Sequence, residues 1–299
     1  MNPNPNPNSN PNPGQSRNLS GWMSGKSLVN GSRSFLLYLL LFAGVAVTLF
    51  PFLWMAASSF KEPKDLFDLS LIPSPATWSN YGDLFVKAPF GRWIANTAVV
   101  AVSTTVSVLV FDTIVGYVLA KFVFPGRTVI FVVIISTLMV PTEMLIIPWY
   151  LLASKLGLSD TYAGLLLPGL ISAFGIFLMR QFMESLPSEL LDAARIDGLN
   201  EWRVFSSIAV PLMKPALATL AILSFISSWN QFIWPFIVLQ TENKYTLPVG
   251  MVYFSSELKD NSGWILIMTA ATVSVLPLIV VFLIFQKRII QGIALSGMK

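Results

Sequence analysis

Apolar residues fall into six long segments that shorter polar stretches separate. The segments cover residues 35–60, 93–120, 128–152, 162–182, 215–239 and 264–285. An α-helix needs about 20 apolar residues to cross a bilayer, and each segment reaches about that length. The pattern therefore predicts an all-α membrane protein with six transmembrane helices.

The composition agrees with the membrane class. Hydrophobic residues make up 54% of the 299 residues and charged residues only 11%, where soluble proteins carry roughly 25% charged residues. The chain has no cysteine and no histidine, which excludes disulfides, thiol nucleophiles, Cys/His metal centres and a Ser-His-Asp triad. We therefore expect no catalytic residue, no metal site and no cofactor in this chain. The net charge of +4 does not indicate nucleic-acid binding, because in a membrane protein the position of the basic residues matters more than their sum.

The positions of the basic residues predict the orientation of the chain. If the N-terminus is inside, twelve of the nineteen lysines and arginines lie on inside segments and seven on outside segments. Cytoplasmic segments carry such an excess, so we predict that both termini are cytoplasmic. The first apolar segment is too long for a cleaved signal peptide and no A-x-A site follows it, so we expect a retained anchor.

The first 33 residues are polar and contain the low-complexity stretch NPNPNPNSNPNPG. Alternating proline prevents both helix and sheet, so we predict a disordered cytoplasmic tail over residues 1–33. The stretch GWMSGKS, residues 21–27, is similar to a phosphate-binding loop, but it has three residues between its glycines where that loop needs four. We therefore expect no ATP binding at this stretch.

One charged segment interrupts the apolar pattern, ELLDAARIDGLNEWRVFSSIAVP at residues 189–211. Pro187 and Ser188 mark a helix start with Ser188 as the N-cap, and Gly198 is a suitable stop, so the spacing predicts a helix of about nine residues. Asn200 caps a second short helix. So short a helix is marginal alone in water. Either it packs against another surface, or the segment is a solvated connecting loop.

These residues carry a family resemblance. ELLDAARIDGLNEWRVFSSIAVPLMKPALATL, residues 189–220, resembles the EAA loop of ATP-binding-cassette (ABC) importer permeases. The family core, roughly E-A-A-x-x-D-G, reads here from Asp192 to Gly198, and Pro211 closes the loop. The segments FDTIVGYVLAKF, MVPTEMLIIPWYLL, SWNQFIWPFIVL, TLPVG and FQKRIIQGIALSGMK also resemble that family. The resemblance covers about residues 34–299 and indicates an inner-membrane sugar permease of the maltose-transporter type.

The resemblance implies a set of partners and a domain organisation. The partners are two ATPase subunits that bind ATP and magnesium, a second permease in a heterodimer, an extracytoplasmic sugar-binding protein, a sugar substrate and the lipid bilayer. Residues 34–299 would form a type I ABC importer permease bundle in a bacterial plasma membrane. Within it, the coupling loop covers about residues 185–214, and a cytoplasmic tail covers about residues 286–299. By the same resemblance, residues 291–299 reach between the ATPases.

In that family the EAA helix docks into a cleft of the ATPase subunit. Here the resemblance gives this role to Glu189, Asp192, Ala193, Ala194, Asp197 and Gly198. Small alanines let a partner approach closely, and acidic residues can meet basic ones. The family usually has glutamate where this chain has Asp192, one methylene shorter. A salt bridge to the ATPase is then either looser or made by Glu189.

Polar and aromatic residues inside the apolar segments are candidates for the transport path. They are Glu143, Trp229, Asn230, Gln231 and Trp234. The tryptophans could stack on sugar rings and the amides could bind hydroxyls. Interhelical hydrogen bonding and an aromatic interface belt are the alternatives. Asp112 must face the bundle interior, a cavity or a partner, because a carboxylate at the bilayer centre is costly.

Two other functions remain open at this point. An ion-coupled secondary transporter would need midplane ion ligands and internal repeats, and a membrane scaffold would need no ATPase partner. In the importer interpretation, the segments near residues 155–161 and 241–263 are outside and are expected to dock the binding protein. The sequence leaves the substrate open among saccharides, polyols and glycerol phosphates.

Overall fold

The computed structural model describes residues 20–66, 68–257 and 260–296, and the side chains of residues 34–66, 68–257 and 260–286. These residues form helices and no strand. The α-helices are α1 (Ser20–Ser58), α2 (Ser79–Lys87), α3 (Phe90–Lys121), α4 (Arg127–Ser136), α5 (Ile146–Lys155), α6 (Tyr162–Leu166), α7 (Ala173–Glu184), α8 (Ser188–Ile196), α9 (Glu201–Val204), α10 (Val210–Leu212), α11 (Lys214–Trp229), α12 (Ile233–Val238), α13 (Leu247–Glu257) and α14 (Asn261–Ser296). Short 3₁₀ helices lie at Pro63–Asp65, Thr137–Met139, Thr142–Leu145, Leu167–Gly169 and Glu242–Lys244, and a π-helical turn lies at Phe205–Ala209.

The chain divides into two compact units, residues 1–54 and residues 55–299. The described part of the first unit is helix α1, whose apolar side chains from Phe35 to Leu53 are exposed. The predicted disordered tail lies partly outside the described residues, which begin at Ser20. Residues 20–33 of that predicted tail already belong to α1.

Helices long enough to cross a membrane account for three of the six predicted segments. They are Ser34–Ser58, Phe90–Lys121 and Asn261–Gln286. Two further segments are bent helix pairs, Arg127–Met139 with Thr142–Lys155 (95°) and Tyr162–Gly169 with Ala173–Glu184 (47°). A third bent pair, Glu201–Leu212 with Lys214–Trp229 (78°), begins in the charged segment and overlaps only the first part of the predicted fifth segment. The described residues therefore contain three spans, or up to six if each bent pair is one span. The third and fourth segments are broken at these bends, and the fifth is broken between α11 and α12, where the pattern alone suggested continuous helices.

Local sequence explains where the chain breaks. Pro141 lies between the two halves of the first bent pair and lacks the N–H that would continue the helix. In the second pair, Ser172 starts α7 by accepting a hydrogen bond from the Gly175 N–H at 3.2 Å. Pro215 sits in the first turn of α11, a position that tolerates proline. Each break is thus a helix end with its own start or stop signal.

Helices α3 and α7 pack closely because glycines remove side chains from their interface. A Cβ built on Gly116 would lie 2.7 Å from the Cβ of Met179. The side chain of Asp112 has no exposure, and the Ser172 N–H donates to both its oxygens, at 3.1 and 3.2 Å. A Cβ on Gly175 would lie 2.1 Å from Asp112 Oδ2. Of the three surroundings predicted for Asp112, the bundle interior, a cavity or a partner, the structure shows the bundle interior.

Two hydrophobic clusters follow the two halves of α3. The first half, from Phe90 to Ala101, packs with α12, α13 and the segment before α13. The second half, from Val108 to Tyr117, packs with α7, α8 and α11. Helix α8 is therefore part of the second core and not a solvated loop.

Candidate coupling surface and transport elements

Helix α8 matches the predicted coupling helix in length and position. It runs from Ser188 to Ile196, nine residues. Its N-cap is Pro187, which offers no side-chain hydrogen bond, so the prediction that Ser188 is the cap is wrong by one residue. The following helix starts as predicted, since Asn200 Oδ1 accepts a hydrogen bond from the Arg203 N–H at 2.9 Å.

The end of α8 requires a left-handed residue. Gly198 has a φ of 84°, a conformation that glycine adopts without steric cost. The Gly198 N–H donates to the Arg195 carbonyl at 3.0 Å and the Leu199 N–H donates to the Ala194 carbonyl at 3.1 Å. Glycine here satisfies the last carbonyls of the helix and turns the chain toward α9.

The two faces of α8 have different roles. Leu191 and Ala194 are buried in the second cluster, at 1% and 5% exposure. The other five predicted coupling residues are exposed: Glu189, Asp192, Ala193, Asp197 and Gly198. Of the two alanines, only Ala193 can therefore meet a partner, because Ala194 packs inside this chain.

Asp192 is held by a neighbour within the same chain. Arg195 Nη1 lies 2.6 Å from Asp192 Oδ1, and Arg195 Nε lies 2.7 Å from Glu201 Oε1. The hydrogen bond to Glu201 raises the pKa of the Arg195 guanidinium. The Tyr117 hydroxyl lies 3.5 Å from Glu201 Oε2, so this network joins α8 to α9 and to the end of α3. Within the described residues Glu189 forms no ion pair, and its carboxylate is exposed.

The predicted coupling set omitted two exposed apolar side chains. Ile196 is 86% exposed at the end of α8, and Trp202 is 63% exposed on α9. The sequence alone could have pointed to both residues, because each is an apolar residue inside a charged stretch. Exposed apolar surface rimmed by polar residues marks a protein contact only where it is contiguous, so these two side chains add to the coupling surface but do not identify it alone.

Three of the predicted path residues lie at helix breaks and are accessible. Glu143 is exposed in the 3₁₀ helix at the 95° break. Asn230 is exposed at the end of α11 and donates to the Ile226 carbonyl at 2.9 Å. Gln231, the next residue, is half-buried. Their polar groups can meet a solute at these positions.

The two tryptophans are core residues. Trp229 and Trp234 are 3% and 2% exposed and belong to the first cluster. Trp234 Nε1 donates to the carbonyls of Gly164 and Leu165, both at 3.2 Å. Neither ring presents a free face, so the interpretation of these rings as sugar-stacking surfaces is not supported, and their contacts are those of helix packing.

Asp160 joins the two segments that were expected to dock a binding protein. Its Oδ1 accepts from the N–H groups of Gln240 and Thr241, at 2.9 and 3.1 Å. Its Oδ2 accepts from Lys244 Nζ at 2.8 Å and the Thr241 hydroxyl at 2.6 Å. Burial acts to raise the pKa of the carboxyl, but these hydrogen bonds outweigh it and hold the pKa well below its ordinary value. Asp160 itself has a φ of 55°, a left-handed backbone conformation that is unfavourable for most residues other than glycine. Its side-chain hydrogen bonds hold the backbone in this conformation.

Side chains at the start of α3 form hydrogen bonds to the same segment, residues 240–245. Asn96 Nδ2 donates to the carbonyls of Asn243 and Tyr245, both at 2.9 Å. The Tyr162 hydroxyl donates to Asn96 Oδ1 at 2.6 Å. Trp93 Nε1 donates to the Glu242 carbonyl at 3.0 Å. Residues 240–245 are thus fixed by Asp160 and by the start of α3, although their sequence is typical of a loop.

Comparisons with known proteins agree with this architecture. Residues 112–295 match the family of binding-protein-dependent transport system inner membrane components. The arabinooligosaccharides transport system permease protein AraQ of Bacillus subtilis is 37% identical over 84% of this chain and 90% of that protein. The sn-glycerol-3-phosphate transport system permease protein UgpE of Pectobacterium atrosepticum is 32% identical over 86% of this chain and 94% of that protein. A crystal structure of a bacterial ABC transporter involved in the import of the acidic polysaccharide alginate matches with a TM-score of 0.79 at 28% identity. That match covers 87% of this chain and 97% of the other.

The bundle of bent apolar helices around α3, with the polar helix α8 packed into one cluster, defines a membrane-embedded transport permease. The chain belongs to the family of binding-protein-dependent transport system inner membrane components. It is a permease component of an ABC importer, as the resemblance implied.

Proposed function

We propose that this permease imports a carbohydrate or a related polar solute and is driven by ATPase subunits that contact helix α8. The main support for this proposal is that α8 has two different faces. One face is buried in the bundle core, and the other exposes carboxylates and Ile196. The first two bent pairs are taken as one span each, and the fifth span is taken to begin at α11, with α9 and α10 left on the cytoplasmic side. This gives six spans, with both termini cytoplasmic in a bacterial inner membrane. The excess of basic residues on the segments at the α8 end supports that orientation.

The proposed complex contains two ATPase subunits, a second permease and an extracytoplasmic binding protein. ATP and magnesium are bound by the ATPases. Relatives named as transport system permeases support this assembly, since a permease of a binding-protein-dependent system works with such partners.

The packing suggests how movement passes from α8 to the spans. Leu191 and Ala194 fix α8 to the second cluster, and the Arg195–Glu201–Tyr117 network ties it to α3. Because α3 and α7 contact each other at Gly116 and Met179 without an intervening side chain, a displacement of α8 carries both helices together. The breaks in the bent pairs are the places where the chain can absorb that displacement.

The substrate class follows from the relatives and from the exposed polar residues at the breaks. Relatives are named for arabinooligosaccharides, sn-glycerol-3-phosphate and diacetylchitobiose, all rich in hydroxyl groups. We assign Glu143, Asn230 and Gln231 to the path, where they would exchange hydrogen bonds with such hydroxyls. The segments around Asp160 and residues 240–245 would receive the loaded binding protein on the outside.

The test of this proposal uses two isoleucines of equal exposure. Ile196 is 86% exposed at the end of α8 and Ile72 is 83% exposed in the segment before α2. A buried charge without a partner opposes association, so Ile196→Asp is expected to abolish co-purification of the ATPases and ATP-dependent uptake in proteoliposomes. Ile72→Asp carries the same charge change outside the coupling surface and is expected to retain both.

Normal ATPase association and uptake in Ile196→Asp would overturn the coupling role of α8. Uptake by the purified chain alone on an ion gradient, without ATPases, would instead establish a secondary transporter.

A further inference from the structure

A cavity of about 390 Å³ lies between the turn that joins α3 to α4 and the last turns of α7. Its lining includes Arg127 and Arg180, the ring of Phe131, and the backbone from Gly126 to Val129. Pockets of about 300–1,000 Å³ hold small ligands. The cavity lies at the same end of the bundle as α8. At that end, Lys121 Nζ, on the last residue of α3, donates to the Leu186 carbonyl just before α8 at 2.6 Å.

The two arginines give the cavity a positive charge. One carboxylate, Glu184, lies 2.5 Å from Arg180 Nη2 and 3.6 Å from Arg127 Nη2. Two guanidinium groups against one carboxylate leave one positive charge. Lys121 lies near the same carboxylate, but two carboxylates of α8 also act on it, so it is not counted toward the cavity. A guanidinium has five N–H donors, so Glu184 occupies only part of the donors of this pair.

The guanidinium of Arg180 is held by the Phe131 ring and by Glu184, and one of its N–H donors has no acceptor among the described residues. Its guanidinium carbon lies 3.6 Å from the centroid of the Phe131 ring, and its side chain is 18% exposed. Its Nε–H is buried and has no hydrogen-bond partner among the described residues. A buried, unsatisfied donor on a cation is costly, and a shift of the guanidinium toward an anionic oxygen in the cavity would let Nε–H donate to it.

The start of α4 adds donors of its own. Gly126, with a φ of 83°, precedes the helix, and no side chain in the described part of the chain caps that end. The first turn contains no acidic residue. The Arg127 N–H donates to the Phe124 carbonyl at 3.3 Å, and the next N–H groups of this first turn and the helix dipole favour negative charge in the cavity.

We propose that this cavity binds the phosphodiester headgroup of an anionic membrane lipid. A lipid is favoured over free phosphate because the cavity opens between apolar side chains: Val123 and Val129, both in its lining, are 93% and 66% exposed. These side chains can contact acyl chains while the arginines bind the phosphate. The assignment to the cytoplasmic leaflet, where basic pockets meet anionic lipids, rests on the orientation under the proposed function.

The experiment measures lipid retention by the assembled importer. The purified complex is placed in nanodiscs of phosphatidylcholine with a minor fraction of phosphatidylglycerol, re-extracted in mild detergent, and its bound lipids are counted by mass spectrometry. Wild type is expected to retain phosphatidylglycerol above its share of the bilayer. Loss of a charge-assisted contact is expected to reduce that retention about tenfold in Arg127→Gln and Arg180→Gln.

Arg203→Gln is the matched control. Arg203 is exposed on α9 at the same end of the bundle and outside the cavity, so this variant is expected to retain the lipid. Arg127→Gln keeps the test valid if Arg180→Gln does not assemble, because the Arg127 side chain is 25% exposed and makes two long contacts, a 3.6 Å ion pair with Glu184 and a 3.3 Å hydrogen bond to the Ala120 carbonyl.

Three results would overturn the proposal. The first is equal retention of phosphatidylglycerol in wild type and Arg127→Gln. The second is displacement of the lipid by excess inorganic phosphate, which would assign the site to a free phosphate. The third is retention by the chain alone but not by the complex, which would show that a partner subunit covers the cavity. Retention requires no ATP, so Ile196→Asp can fail in uptake while the lipid result stands.

Discussion

Asp160 is a single residue on which the geometry of two segments depends. It accepts four hydrogen bonds from residues about 80 positions later, and its own carbonyl accepts a further one from Lys244 Nζ at 2.7 Å. The depressed pKa of its carboxyl means that the stabilisation is present above the unfolded pKa of about 3.9 and disappears only as the pH falls through the lower folded value. We therefore expect the joined segments to stay intact from pH 5 to pH 8.

Replacing Asp160 by asparagine is expected to free Lys244. The neutral amide keeps one oxygen for the backbone N–H groups but loses the charge-assisted bond to the ammonium group. Trypsin should then cleave after Lys244 faster than in wild type, as followed by mass spectrometry of the fragments. Asp83→Asn, which alters an exposed carboxylate on α2, is the control. Equal cleavage rates in Asp160→Asn and wild type would contradict the role of Asp160.

At the residue scale the sequence predicted α8 better than the path. The start signal at Pro187 and Ser188 and the stop at Gly198 gave the helix almost to the residue. The sequence could not assign Ala193 and Ala194 to different faces, because that depends on which side of α8 meets the core. It also could not distinguish a tryptophan that lines a path from one that donates to the Gly164 carbonyl, since both occur at the same place in an apolar segment.

At the element scale, the contact between α3 and α7 is set by glycine. A Cβ on Gly116 would lie 2.7 Å from a side-chain carbon of Met179 and 2.9 Å from the backbone nitrogen of Arg180. Because the nearest atoms belong to or adjoin the backbone, the helices must separate to admit a methyl group. The proposed transfer of movement from α8 to the spans depends on this contact.

We expect Gly116→Ala to destabilise the protein by about 1–3 kcal/mol, the usual cost of overpacking. The measurement is thermal unfolding of the purified chain in detergent. Gly82→Ala on α2 is the control, because a Cβ there has no atom within 4 Å. A Gly116→Ala variant as stable as wild type would show that the two helices are not tightly packed.

The positions of the elements were predictable, but their breaks were predictable only in part. The first break could be predicted from Pro141, because proline lacks the N–H that continues a helix. The second depends on the Ser172 N–H meeting Asp112 from another helix, a contact that has no trace in local sequence. Tertiary partners therefore explain what hydrophobic periodicity missed.

At the scale of the whole molecule, the predicted orientation can be tested with the sequence as it stands. The chain has no cysteine, so a single introduced cysteine gives an unambiguous label. A membrane-impermeant maleimide added to intact cells is expected to label Ile72→Cys, in a segment predicted to be outside. Ile196→Cys should react only after the membrane is permeabilised. The reverse pattern would place α8 outside and remove it from any cytoplasmic ATPase.

The buried Asp112 also constrains how the protein can be made. Its hydrogen-bond donor, the Ser172 N–H, lies 60 residues further along the chain. When α3 leaves the ribosome, this donor has not yet been synthesised. A lone carboxylate costs roughly 2.5–3.5 kcal/mol to insert at the centre of a membrane helix, which is an upper bound for Asp112 because it lies in the second half of α3. Until α7 is in place, α3 therefore carries a carboxylate without its partner, and the packing of the two helices at Asp112 is completed only after the fourth segment has been inserted.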